Sequence, residues 1–128
     1  MTNRILLSLL VPALCMFASY ESFADADPRK VVIYYYGFEI ERITGIHEEE
    51  IEELGCVYSA DSNSIESALM AVNSSDAKYD RRDVRAKIEM HGKSYFVDRA
   101  GFARQGDNYF QLDKVRFVAS IALAGPCE

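Results

Sequence analysis

Residues 83–90, DVRAKIEM, alternate without a break: Val84, Ala86, Ile88 and Met90 fall on one side, Asp83, Arg85, Lys87 and Glu89 on the other. A period of two puts successive side chains on opposite faces of a strand, so this stretch predicts a half-buried antiparallel strand with one face against a core. His91-Gly92 follows as a two-residue hairpin turn, which sets Met90 opposite Lys93, Ile88 opposite Tyr95 and Ala86 opposite Val97. The same register places Lys87 against Phe96 and Arg85 against Asp98 on the outer face. Apolar then meets apolar and charge meets opposite charge, each pair contributing roughly 0.2–1 kcal/mol.

Two further turns extend the hairpin into a meander. Asp98-Arg99-Ala100-Gly101 has the Asp-first, Gly-last form of a type I turn, and Gly106-Asp107-Asn108 marks the next. Short strands over 102–104 and 109–112 follow. Upstream, VVIYYYGF (31–38) reads as a central strand covered on both faces, and Cys56–Ser59 as a short strand.

Three helices are predicted. IHEEEIEEL (46–54) places Ile46, Ile51 and Leu54 on one face and ends at Gly55. Asn63 and Glu66 form a capping box for a helix through Ile65, Leu69 and Val72. Asp113 caps KVRFVASIALA (114–124), a helix apolar on nearly every side and suited to lie across the sheet. The expected fold is α+β: an antiparallel sheet of about four to six strands with a C-terminal β-meander, two or three helices on one face, and one disulfide.

The ends of the chain bound where it works. Met1–Arg4 is short and positive, about fourteen mostly apolar residues follow to Ala18, and small residues stand at Ser22, Ala24 and Ala26. That predicts a secretory signal peptide, residues 1–24, cleaved after Ala24 or Ala26 and leaving a single domain, 25–128. The apolar run falls short of the ~20 residues of a membrane span. Leu14 before Cys15 is too large for a lipid-anchor site. The expected location is bacterial, periplasmic or secreted. In an oxidising compartment Cys56 and Cys127 are expected to pair, and the long loop they close corresponds to about 4 kcal/mol on the chain-entropy estimate.

Chemistry is notable for what is missing. The sequence carries no nucleophile motif, Walker loop or dinucleotide fingerprint. Glu48–Glu50, Glu52 and Glu53 beside His47 do not make a metal site, because consecutive helix positions point about 100° apart. No cofactor and no metal are expected. The net charge of −6 disfavours nucleic acid and anionic membrane as partners and favours a cationic protein.

These features predict a non-enzymatic, exported, acidic binding protein, such as an inhibitor or immunity protein occluding a basic envelope-acting enzyme. A second expectation is an envelope accessory domain that takes peptide, glycan or a secretion component on a sheet edge at Phe102–Arg104. A small carboxylate-dependent hydrolase comes third. Tyr95 shares the inner face with Ile88 and belongs to the core. Phe96 falls on the outer face, where a bare ring has no folding role, so Phe96, Phe102 and Tyr109 are the candidate partner-binding residues.

Overall fold

The computed structural model describes residues 29–123. The chain runs β1 (Lys30–Tyr35), a 3-10 turn (Glu48–Glu50) continuing into α1 (Ile51–Leu54), β2 (Cys56–Asp61), α2 (Ser62–Ala68) and β3 (Leu69–Val72). After a 3-10 turn at Ser74–Asp76 come β4 (Val84–Met90), β5 (Lys93–Asp98), β6 (Phe102–Gln105), β7 (Asn108–Leu112), α3 (Lys114–Ser120) and the two-residue β8 (Ala122–Leu123). The strands form one antiparallel sheet in the order β3-β7-β6-β5-β4-β1-β2-β8. The fold is α+β as expected, but the sheet exceeds the four to six strands predicted.

The hairpin register holds where the alternation dictates it. Met90 pairs with Lys93, Ile88 with Tyr95, Lys87 with Phe96 and Ala86 with Val97. His91 (φ 53°) and Gly92 (φ 75°) both take the left-handed conformation that a two-residue I′ hairpin requires. The predicted Arg85–Asp98 pair does not form. The register shifts between Val84 and Ala86, so Val84 stands opposite Asp98 and Arg85 is the extra residue of a bulge.

Val31 and Ile33 of β1, Ala86, Ile88 and Met90 of β4, Val97, Ala103 and Leu112 make the inner face. Ile65 and Ala68 of α2 and Phe117 of α3 close over them, with Tyr35 and Phe38 stacked edge-on around Phe117. Full burial of a ring such as Phe117 contributes about 1.5–3 kcal/mol.

Three further sequence expectations need correction. Helices cover both faces: Ile51 of α1 packs with Ile46, Val84, Tyr34, Tyr36, Tyr79 and Phe96 on the outer side, in a second, smaller core. The helix predicted through Val72 stops at Ala68. Leu69 is already extended, and its N–H caps back onto Glu66. Leu69 then pairs with Leu112, so the edge of β7 captures the residues that the helical period also fits. Finally α3 ends at Ser120 rather than Ala124, and only Phe117 is buried; Val115 is 83% exposed and Val118 46%. Residues 121–123 leave the helix so that β8 can pair with Tyr58 and Ser59 of β2. The cap itself is as predicted, with Asp113 Oδ1 accepting from Arg116 N at 3.1 Å.

Cys56 is held in a disulfide. Cys127, its expected partner, and the predicted signal peptide lie outside the described residues.

Candidate functional site

The segment between β1 and the 3-10 turn has no regular structure, yet it is fixed at many points. Tyr36 N donates to Arg85 O at 2.9 Å, after which Gly37, at φ +119°, turns the chain out of the sheet. At the far end Val84 N donates to Ile46 O at 2.7 Å. Gly45 is pressed against the backbone so closely that a Cβ would sit 2.0 Å from Arg82 O. Both ends of the loop, residues 37–45, are therefore tied to the start of β4.

The bulge explains how the middle is held. At the bulge the side chain of Arg85 is buried beside Tyr36, 1% exposed. Its Nη1 donates to Gly37 O (2.9 Å) and Ile40 O (2.5 Å), and Nε donates to Asp83 Oδ1 (3.1 Å). The guanidinium also lies over the Tyr36 ring at 5.4 Å. A buried guanidinium is tolerable only where its donors are met, and here two of the three acceptors belong to the loop backbone. Arg42 adds a bond to Thr44 O (3.1 Å) and one to the Tyr36 hydroxyl (3.4 Å).

The loop's side chains divide by direction. Phe38 points into the main core, while Ile40 is half exposed and Ile43 fully exposed. Glu39 and Glu41 flank them, with Glu41 3.2 Å from Arg99 Nη2. Beside the loop, Tyr35, Phe38, Glu39, Lys114, Val115 and Val118 line an open groove of about 480 Å³. The loop and the exposed side of α3 thus present apolar groups on adjoining surfaces.

On the outer face the cross-strand partners run in one row: Tyr34, Lys87, Phe96, Arg104 and Tyr109. Lys87 Nζ and Arg104 Cζ lie over the Phe96 ring at 5.5 and 5.6 Å. The acidic segment above supplies their counter-charges. Glu52 accepts from Lys87 at 2.5 Å, and Glu48 is bonded to Arg104. The acidic run is therefore split, with Glu48 and Glu52, four residues apart, fastening it to the sheet while Glu49, Glu50 and Glu53 face solvent. Burial would lower the Lys87 pKa, but Glu52 and Glu89 more than offset it and the net shift is upward. The Glu52 carboxyl is held low by its bond to Lys87. Tyr79 is pushed up by burial, with Glu48 adding to it. Among the described residues, the Tyr79 hydroxyl and Arg104 Nε are buried without a hydrogen-bond partner.

Phe96, Phe102 and Tyr109 share this outer face and are each half-buried. The expectation for Phe96 rests on a bare face, and the face is covered: Phe96 packs against the Ile46, Ile51 and Val84 cluster. Its ring thus has a folding role. Phe102 and Tyr109 join neither core cluster. The sequence-predicted trio is not where the apolar exposure lies. It lies at Ile43, Val115, Met70 and Ile40, and the signal available in the sequence for the two isoleucines is their place in a charged segment, GFEIERITG, that lacks any strand or helix period.

A second hollow, about 400 Å³, is lined by Lys78, Asp80, Asp83, Asp98, Arg99 and Ala100. Burial raises the Asp98 pKa, partly offset by N–H donors. Oδ1 accepts from Gly101 N and Phe102 N and Oδ2 from Asp80 N, each at 2.9 Å. Asp98 is thereby committed to clamping the β5–β6 turn and the 77–83 segment together. Among the described residues no group of three His, Cys, Asp or Glu side chains is placed to hold a metal ion. Comparison of the chain with protein-family models, with curated proteins and with solved structures finds no match.

Proposed function

We propose that this is an exported, acidic binding domain, acting as an inhibitor or immunity protein does: it occludes a basic envelope protein by inserting the loop 37–45 into it. The observation that supports this reading is the pairing of a fully buried Arg85, spent on loop carbonyls, with a fully exposed Ile43 at the same loop. A loop held in its bound shape loses little entropy on docking, and an apolar tip that enters a pocket is the form of an interface anchor. Exposed Glu39 and Glu41 on the loop, and exposed Glu49, Glu50 and Glu53 in the segment that follows it, supply negative charge suited to a basic rim. Cleavage of residues 1–24 delivers the domain to the periplasm, and Cys127 closes the disulfide at Cys56; both belong to the same proposal.

The alternative placed on a Phe102–Arg104 edge loses its footing, since β6 lies between β5 and β7. The test is capture from envelope extract with the wild type and with Ile43→Asp, followed by kinetics on the captured protein. We expect a stoichiometric basic partner whose association slows with added salt, and at least about tenfold weaker binding by the variant, the order of a single anchor residue. Absence of such a partner, or equal binding by Ile43→Asp, overturns the reading.

A further inference from the structure

We infer that β3 is the seam of a homodimer, in which a second copy of the chain pairs with it antiparallel across Ala71. β3 is a terminal strand of the sheet, and among the described residues nothing pairs with its outer side. An open edge is a row of unpaired N–H and C=O groups, usually guarded by lysine, proline or a bulge. Leu69–Val72 is short, which limits an edge, but it carries none of these, and Met70 is 68% exposed.

Which groups are free follows from the ladder. Asp113 N donates to Ala68 O at 2.8 Å, and the register continues as Leu69–Leu112, Met70–Gln111, Ala71–Phe110 and Val72–Tyr109. Bonding pairs alternate, so Met70 and Val72 direct their backbone groups to β7 while Leu69 and Ala71 direct theirs outward. The Leu69 N–H is already used on Glu66 O, and Asn73 O accepts from Asp76 N. What remains is the C=O of Leu69, both groups of Ala71 and the N–H of Asn73.

That set is self-complementary. A two-fold axis at Ala71 joins Ala71 N–H and C=O to those of the second Ala71, and joins each Asn73 N–H to the other copy's Leu69 C=O. Four hydrogen bonds result, and the two groups without a partner across the seam are the two already satisfied at home. The same register sets each Met70 directly against Val72 of the other copy, on the outer face, which covers the exposed thioether. None of the four strand residues is charged, so no like charges meet opposite one another. A second copy therefore fits the edge in backbone, side chain and charge, and the pairing is independent of the loop 37–45.

Sedimentation equilibrium on the protein produced from the full sequence in an exporting host tests this. The expected result is a mass that rises from one chain to two between micromolar and millimolar protein, with Met70→Arg remaining at one chain throughout. Ala71→Cys is expected to form an intermolecular disulfide under mild oxidation at concentrations where Met70→Cys does not, because Cα atoms of a directly bonded cross-strand pair lie within bridging distance. Met70 and Ala71 are both exposed, so these variants keep the fold. A single-chain mass at millimolar protein, a dimer indifferent to Met70→Arg, or equal cross-linking by the two cysteine variants overturns the inference.

Discussion

Replacing Arg85 with methionine tests whether the loop is held by one side chain. Methionine fills much of the volume but supplies no donor, so Gly37 O and Ile40 O lose their shared partner and Asp83 Oδ1 loses its ion pair. Bonds to a charged donor contribute about 1.5–3 kcal/mol each, which for three bonds is an upper bound because a released loop regains water at its carbonyls. Removing one member of a buried charged arrangement costs about 3–5 kcal/mol, and that is the expected loss for Arg85→Met. Against a domain stability of about 5–15 kcal/mol, urea denaturation should show it as a large fall in midpoint with an unchanged slope. Hydrogen exchange should rise most in residues 37–45, since these lose their anchor while the sheet register stays. Arg85→Lys keeps the charge without the fork and should fall between the two. A stability within about 0.5 kcal/mol of wild type, the range of an ordinary surface change, would refute the assignment of Arg85 as the clamp.

Two other substitutions probe the same end of the sheet. Gly45→Ala places a Cβ 2.0 Å from Arg82 O, so it should destabilise by at least the ~1–3 kcal/mol of an overpacked site, measured by thermal unfolding. Asp98→Asn keeps an acceptor for Gly101 and Phe102 but turns an amide toward Asp80 N–H, at an expected cost of about 1–3 kcal/mol at neutral pH. Because burial raises the folded pKa of Asp98 above its ordinary value of 3.8, protonation favours the folded state. Wild-type stability should therefore carry a contribution from this group that is present below pH 3.8 and lost as pH rises through the folded pKa, a pH dependence that Asp98→Asn lacks and that denaturation across acidic buffers reads directly.

What the sequence made legible was local pairing. The alternation of residues 83–98 specified four of the five predicted cross-strand partners, and Asp113 announced its cap. The fifth partner failed because a bulge leaves no mark on a period of two: Arg85 looks like any outward charge until the loop 37–45 offers it carbonyls. Leu69 and Val72 suit a helix and a strand alike, and only the vacant edge of β7, distant in sequence, decides between them. The outer layer was invisible for a related reason. Beside Ile51 of α1 it is built from irregular segments carrying Ile46 and Tyr79, and irregular chain has no period to read. Phe96 belongs with it, because the cover over its ring comes from these segments.

The sheet order has a consequence in time. β1, the first strand among the described residues, pairs with β2 and β4, and β2 in turn pairs with β8 at residues 122 and 123. Phe117, at the centre of the main core, also comes late. A chain emerging from its N-terminus can close neither the aromatic cluster around Tyr35 nor the free side of β2 until residues 117–123 have appeared. Such dependence on distant contacts slows folding and keeps early segments open. Residues 117–123 therefore act as a built-in delay on closure of the sheet and its main core.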